Sequence, residues 1–343
     1  MLKYVFKRIF LAFVTTFIII SLSFICVKLL PLDKFLGKPE QRIAYYDEQV
    51  RLGYMSSSKY ERQDATPFDF VTLSNGTVVY YYTVPVMQQY GVWIKNIVCH
   101  WDWGVSKTIS PNVKATVIIG EQLLTSMRIN IISVLFSVPI GILLGIWAAL
   151  KKNTMIDHII STLVMIFISL PSFILITFMM LLLCYKNNVL PTQWPNPTDP
   201  LKLKVLGYII PVFCLSFGSI CGYCRFVRAE LCEVMESEYL LLARTKGLTR
   251  KQTIFRHALK NAMVPIFPSI LAEFIGIMGG SMILENLYGI PGIGRLFIIA
   301  LSAKDYNILF VDMAIFTTVS LLAGVVLDLS YGFIDPRIRM GAK

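Results

Sequence analysis

The sequence predicts an all-α polytopic membrane protein of six transmembrane helices. Both termini are placed in the cytoplasm, with an external α/β-like insert between helices 1 and 2. Three observations predict it. Several uninterrupted apolar runs reach about 20 residues, the length that spans a bilayer as a helix. Only 15% of the 343 residues are charged and 55% are hydrophobic, with mean hydropathy +0.64, whereas a soluble domain carries roughly 25% charged residues. Roughly ten of the charges behind the net +11 fall in segments on one side of the six-helix reading, as the positive-inside rule expects. No separate basic domain is left over, which excludes a nucleic-acid partner and makes the lipid bilayer the expected surrounding. The chain divides into a cytoplasmic N-terminus and first helix over 1–30, an external insert over 31–112, and a helical core over 113–343 with a cytoplasmic loop over 238–265.

Lys3, Lys7 and Arg8 precede an apolar run from Ile9 to about Leu30. It is too long for the h-region of a secretory signal and lacks a small-residue cleavage pattern, so it reads as an uncleaved first helix. From about Pro31 to Pro111 the chain is polar and mixed in charge. Within that stretch Phe68 to Leu73 and Thr77 to Thr83 are β-prone, separated by Ser74-Asn75-Gly76, and Asn-Gly favours the type I′ turn of a hairpin. Asn75-Gly76-Thr77 also spells a glycosylation sequon, but the turn already explains those residues. Cysteines at 26, 99, 184, 214, 221, 224 and 232 form no disulfide framework. Cys221 and Cys224 have C-x-x-C spacing inside a predicted membrane helix without a second pair, which reads as small buried hydrophobes.

A second helix is expected from about Arg128 to Leu150, stopping at Lys151-Lys152. The third, about Ile156 to Tyr185, contains Ser169-Leu170-Pro171-Ser172-Phe173. A proline inside a membrane helix frees a carbonyl and kinks the helix, which is tolerated where neighbours or a cavity satisfy it. The kink serves either packing alone or a helix lining a substrate path. Lys186 to Lys204 is a short external loop rich in Pro and Asn. A fourth helix, about Gly207 to Val227, runs on through Arg228, Glu230, Glu233 and Glu236 as a solvated extension with i,i+3 neighbours.

Glu238 to Pro268 is a basic, amphipathic interruption between two membrane-length apolar runs. Tyr239 to Lys246 makes roughly two helical turns, and Gly247 supplies the left-handed or flexible residue that ends a helix. Thr249 and Gln252 have capping-box spacing for a second helix, which carries Ile254, Phe255, Ala258 and Leu259 among Arg250, Lys251, Arg256 and Lys260. Physically this is a helix–Gly–helix foot held at a membrane surface with apolar residues open to a partner. The plain alternative is a basic loop resting on lipid headgroups.

Ala243-Arg244-Thr245-Lys246-Gly247-Leu248 and, after a fixed spacing, Arg256-His257-Ala258-Leu259-Lys260-Asn261-Ala262 with Pro265 carry a further signal. They resemble the cytoplasmic loop of binding-protein-dependent ABC importer permeases, in the form of the oligopeptide/dipeptide (nickel) branch and its first, B-type, permease subunit. In that family the loop is a coupling helix that docks into a groove on a cytoplasmic ATPase. The resemblance therefore implies an ATPase-coupling role for Tyr239, Leu240, Ala243, Arg244, Lys246, Gly247, Leu248, Arg256, His257, Leu259 and Asn261. Loops outside the peptide branch often carry Glu-Ala-Ala where this chain has Leu241-Leu242-Ala243. Ser169 to Phe173 is similar to the family's third helix. Trp101 to Ser106 keeps the Asp, Gly and Ser of a Gly-Asp-x-Gly-x-Ser pattern but has Trp101 for its first Gly. The ending Asp335-Pro336-Arg337-Ile338-Arg339 is also similar. The resemblance covers about Ala115 to Arg339 and the first helix, and is thin between Pro31 and Tyr90.

The fifth helix is expected over roughly Ala262 to Leu284, with Glu273 near its middle. A charge at the bilayer centre costs on the order of 2.5–3.5 kcal/mol, so Glu273 either lines a pore or is protonated or paired internally. Gly276, Gly279 and Gly280 permit close helix approach. Glu285 to Arg295 resembles the family's external re-entrant turn, with Glu285, Pro291, Gly292 and Gly294 in matching places. Candidates for the translocation path are thus Ser169, Pro171, Ser172, Glu273 and Glu285. Asp305-Tyr306 precedes a sixth helix, about Ile308 to Phe333, with Asp328 buried near its inner end.

No G-x-x-x-x-G-K-[ST] loop occurs, so the chain is not expected to hydrolyse ATP. His100, His158 and His257 have no metal-ligand spacing, and no G-x-S-x-G elbow exists. No catalytic, metal or cofactor residues are expected. The resemblance implies ATP and Mg on two partner ABC ATPase subunits, a second permease subunit, and an extracytoplasmic peptide-binding protein. The expected function is ATP-driven import of oligopeptides or dipeptides across the cell membrane by a subunit that is not itself an enzyme. A permease for nickel or another small solute stands second. An ion-driven secondary transporter titrating Glu273 and Asp328 would need inverted repeats that the sequence lacks, and a sensor anchored by its insert stands last.

Overall fold

The computed structural model describes residues 2–29, 34–73 and 76–334. In chain order the elements are α1 (Leu2–Lys28), α2 (Pro39–Arg51), β1 (Met55–Ser58), β2 (Asp69–Thr72), β3 (Val78–Thr83), α3 (Val86–His100) and α4 (Ala115–Leu150). There follow α5 (Met155–Ile168), α6 (Ser172–Met179) running into a π-helical turn, α7 (Leu201–Met235), α8 (Glu238–Thr245), α9 (Arg250–Thr253) and α10 (Leu259–Gly276). The last three are α11 (Met282–Tyr288), α12 (Ile293–Ser302) and α13 (Tyr306–Ile334). A segment in hydrocarbon must pair its own backbone groups, which selects helices. Among the described residues five helices are long and apolar enough to cross a membrane: Val5–Lys28, Ala115–Leu150, Leu201–Met235, Arg250–Gly279 and Tyr306–Ser330. Two bent pairs raise the figure to seven if each is one span: Met155–Ile168 with Ser172–Lys186 at 98°, and α11 with α12 at 84°.

Four sequence expectations are corrected. The second helix starts at Ala115, well before Arg128, because Ile118 and Ile119 are buried and carry the helix on. The third helix is broken rather than kinked. Pro171, at φ −58° and ψ 140°, leaves the helical region, and its missing N–H stops the ladder between α5 and α6. The fifth helix ends at Gly279, since Gly280 (φ +60°, ψ −179°) takes a conformation open essentially to glycine. Met282 to Leu284 therefore begin α11, and Glu285 stands inside that helix rather than in a turn. The hairpin forms as β2 and β3, but β3 also pairs with β1, giving an antiparallel sheet of order β1-β3-β2. Ser74 and Asn75 of the expected turn, and the Asp335–Arg339 ending, lie outside the described residues.

Contacts divide the chain into two compact units. The first comprises Met1–Ile9, Leu124–Arg295 and Val319–Lys343. Here α4 and α7 touch through glycine: a Cβ on Gly141 would stand 2.7 Å from the Tyr223 side chain, and one on Gly145 2.7 Å from the Cys224 carbonyl. Small residues substitute for a hydrophobic driving force by letting backbones approach. Cys221 and Cys224 pack with Val164 as apolar filler, and Cys184 and Cys214 join Ile129, Ile176, Ile210 and Tyr288. Asp157, buried at the start of α5, receives both Arg228 Nε (2.5 Å) and Arg228 Nη2 (2.8 Å). Arg8 pairs with Asp328 at 3.0 Å, and Asp328 is half-buried rather than fully enclosed.

The second unit comprises Phe10–Leu123 and Leu296–Thr318. Its sheet and α2 enclose Phe35, Tyr46, Met55, Val71 and Tyr81. Asp69 sits among them, accepting from Tyr46 Oη (2.7 Å) and Arg42 Nη2 (2.5 Å). Burial works to raise its carboxyl, but the Arg42 and Tyr46 hydrogen bonds outweigh that and hold it below the ordinary carboxylate value. Burial pushes the Tyr46 phenol up to about 12, helped by the same Asp69 contact. A second core stacks Phe24 on Trp93 (centroids 4.4 Å apart) beside Phe310 at 5.4 Å. The Asp-Gly-Ser trio of Trp101 to Ser106 has a physical reading. Asp102 pairs with Arg51 at 2.7 Å and accepts from the Gly104 N–H. Gly104, at φ +84°, lies where a Cβ would stand 2.7 Å from Asn307. Ser106 Oγ donates to Asp305 at 2.6 Å, and the same Asp305 oxygen accepts the N–H groups of Lys107, Thr108 and Ile109.

Candidate functional site

The helix–Gly–helix segment begins where α7 runs out. Ser237 takes an extended conformation and α8 starts on its far side. At the other end of α8, Gly247 N–H donates to Arg244 O (3.0 Å) and Leu248 N–H to Ala243 O (3.4 Å). These two bonds, with φ +88° at Gly247, make a Schellman motif, and the left-handed position is why glycine stands there. Thr249 then opens α9 with the expected capping box. Gln252 N–H donates to Thr249 Oγ1 (3.3 Å), and Thr249 N–H donates to Gln252 Oε1 (3.1 Å). A π-turn over Ile254–Ala258 carries the chain into α10.

One face of this segment anchors it. Leu240, Ala258 and Ala262 share a buried cluster with Ala149 at the end of α4 and Leu231 and Cys232 of α7. Asn261 Nδ2 donates to Tyr239 Oη at 2.8 Å and ties α8 to α10. The opposite face presents Tyr239 (42% exposed), Leu241 (65%), Leu242 (57%) and Phe255 (52%). Arg244, Lys246, Arg250, Lys251, Arg256, His257 and Lys260 are exposed around them. Ala243, Leu248 and Leu259 are half-buried. Leu240, only 2% exposed, is an anchor and not a contact residue. Leu241, Leu242 and Phe255 stand outside the set that the resemblance implies, although they are the most exposed apolar residues of the segment. The signal was present: Leu240 and Ala243 share a helix side at i,i+3, so neighbours of Leu240 must point away.

The other candidates are not gathered into one place. Ser169, Pro171 and Ser172 lie exposed at the break between α5 and α6, with Ser169 Oγ bonded back to Met165 O (2.9 Å). Glu273 is half-buried and accepts one long hydrogen bond, from Ser137 Oγ at 3.4 Å. Glu285 is 3% exposed. Its Oε1 accepts from Ser126 Oγ (2.7 Å) and Ser281 N–H (3.1 Å), and its Oε2 from Arg295 N–H (3.1 Å). A carboxylate consumed in this way cross-links α4, α11 and α12, and is not open to a path.

Residues 141–340 match the family model described as "Binding-protein-dependent transport system inner membrane component". Curated relatives extend over the whole chain. It is 28% identical over 341 residues to the dipeptide transport system permease protein DppB of Lactococcus lactis subsp. cremoris, covering 99% of this chain and 100% of that protein. It is 27% identical to the oligopeptide transport system permease protein OppB of Haemophilus influenzae and 30% to that of Salmonella typhimurium, with the same coverage in both cases. Among solved structures, an amino acid ABC transporter matches at TM-score 0.50 and 18% identity, over 63% of this chain and 94% of that one. The likeness shows the fold alone. The family match over 200 residues (340 − 141 + 1), containing the segment just described, identifies the chain as a multi-pass membrane protein of the binding-protein-dependent transport system inner membrane component family.

Proposed function

We propose that this chain is one of two permease subunits of an ABC importer that carries oligopeptides or dipeptides into the cytoplasm. On this reading it has six spans, with the α5–α6 break inside the third and the α11–α12 pair re-entrant from outside. Both termini lie in the cytoplasm and the insert over 31–112 lies outside. ATP and Mg belong to two partner ATPase subunits, and an extracytoplasmic binding protein delivers the peptide.

The observation that carries the reading is the two-faced foot from Tyr239 to Asn261. Its buried side is packed into α4 and α7, and its open side offers Tyr239, Leu241, Leu242 and Phe255 inside a basic rim. An apolar centre with a charged rim is the anatomy of a protein contact. When the ATPases close on ATP, a push on that face is delivered to α4 and α7 through Leu240, Ala258 and Ala262 and continues into α10. Gly247 holds the two halves of the foot at a fixed angle. Ser169, Pro171, Ser172 and Glu273 remain the candidate path groups, since a broken span leaves backbone groups that are tolerated where they line a cavity.

The test is purification of the chain from its native membrane in mild detergent, with identification of everything retained. A second permease and P-loop ATPases should accompany it, and the ATPases should be lost from a Leu241→Glu/Phe255→Glu variant that still inserts. Recovery of the chain alone with intact peptide uptake would sink the proposal.

A further inference from the structure

The first unit carries a groove of about 600 Å³ that none of the foregoing uses. Its walls come from the outer part of α4, the segment between α6 and α7, the start of α7, and the α11–α12 turn. Arg128, Lys204 and Arg295 line it together with Trp194, Tyr208 and Pro291, and no acidic residue lines it. Trp194 packs edge-on against Tyr208 with centroids 4.9 Å apart. The wall is fixed from behind: Trp194 N–H donates to Tyr288 O (2.9 Å), and Tyr288 Oη donates to Pro191 O (3.0 Å). The two acids nearby are already committed. Asp199 accepts from the Asn196 N–H at 2.7 Å, and Glu285 is enclosed as described above.

Three cations facing one groove repel each other unless an anion joins them. Each keeps donors to offer. Arg295 Nη1 gives one hydrogen bond, to Gly289 O (2.7 Å), and Lys204 Nζ one, to Pro197 O (2.5 Å). Arg128 is exposed and pairs with no carboxylate among the described residues. The level of the groove follows from helix geometry. Arg128 lies 22 residues (150 − 128) before the inner end of α4 at Leu150, or about 33 Å along the axis, just beyond a hydrocarbon core of about 30 Å. The groove therefore opens at the outer surface, with a volume inside the usual range of roughly 300–1,000 Å³ for small-molecule sites.

Resting on the peptide-importer reading, we propose that this groove receives the C-terminal carboxylate of the incoming peptide. That group is the one anion every linear peptide carries whatever its sequence. Guanidinium and ammonium groups meet it by charge-assisted hydrogen bonds, and Trp194 and Tyr208 offer a rigid apolar wall to side chains of any kind.

The test uses the complete importer, with its partner permease, ATPases and binding protein, reconstituted in phosphatidylcholine vesicles. Uptake of trialanine and of trialanine amide is compared in the wild type and in Arg128→Gln/Lys204→Gln. The double variant removes two of the three cations and should raise KM for trialanine at least about tenfold, the size of losing a single charge-assisted contact, and leave trialanine amide unchanged. The comparison is internal to the permease, because any preference of the binding protein is common to both proteins. Equal losses for both peptides would overturn the proposal. If those losses follow added phosphatidylglycerol, the groove is a lipid headgroup site; if they follow weaker docking of the binding protein, it is a protein contact. A wild-type importer that moves neither peptide removes the importer reading itself.

Discussion

Gly247→Val is the most informative perturbation of the foot. A Cβ at Gly247 would meet nothing within 4 Å, so no clash contributes and the whole cost is in the backbone. At φ +88° an L-residue bears about 1–2 kcal/mol for the left-handed conformation. Asn bears least among the alternatives and a β-branched residue most. At about 1.4 kcal/mol per tenfold, a 2 kcal/mol cost moves the foot about 30-fold towards geometries in which the Schellman bonds are broken. Gly247 lies outside the five long apolar helices, so insertion and expression should be unaffected. Peptide transported per ATP hydrolysed, measured in vesicles with the partner subunits, should fall in the order Gly, Asn, Ala, Val, with Val down at least about tenfold. A Val variant coupled as well as the wild type would refute the argument. So would equal losses for Asn and Val, which would place the cost in something other than φ.

Three further outcomes follow from the geometry. Glu285→Ala strands the Ser126 hydroxyl and the N–H groups of Ser281 and Arg295; at about 1 kcal/mol each the loss is about 3 kcal/mol, read as a Tm several degrees lower in detergent. Gly294→Ala should abolish folded protein on size-exclusion chromatography, because its Cβ would lie 2.6 Å from Met282 N, while Gly276→Ala, with nothing within 4 Å, should be neutral. Asp69, held below its ordinary value, adds stability that is present above the unfolded carboxylate value of about 4 and is lost as pH falls through the lower folded one. Acid unfolding of the insert, followed by tryptophan fluorescence, should accordingly lose part of its steepness below about pH 4 in Asp69→Asn.

Much of this was legible in the sequence, and the reasons differ by residue. Apolar length alone marks the spans, and Thr249 with Gln252 at i,i+3 marks the start of α9 because a capping box is local chemistry. Helix ends were less legible. The start of α4 at Ala115 is decided by burial of Ile118 and Ile119, a tertiary effect that hydropathy does not carry. Pro171 announces an interruption, but whether a kink or a 98° break follows depends on what packs around it. Glu285 read as a path residue because its segment resembles the family's external re-entrant turn. Only the structure shows its three donors, two of them backbone N–H groups that no residue type can advertise. Strand β1, Met55-Ser56-Ser57-Ser58, has no hydrophobic alternation and is recruited by β3.

The contact between Ser106 and Asp305 has a consequence in time. The two residues are 199 positions apart, and at roughly 5–20 residues synthesised per second the second follows the first by about 10–40 s. Throughout that interval the hydroxyl of Ser106 and the N–H groups of Lys107, Thr108 and Ile109 lack the carboxylate that gathers them. They close onto a carboxylate that arrives immediately ahead of the last helix. A nascent chain that stops short of Asp305 therefore lacks the carboxylate that closes the loop after α3 and leaves that loop accessible to proteases and holdases, and a finished one does not.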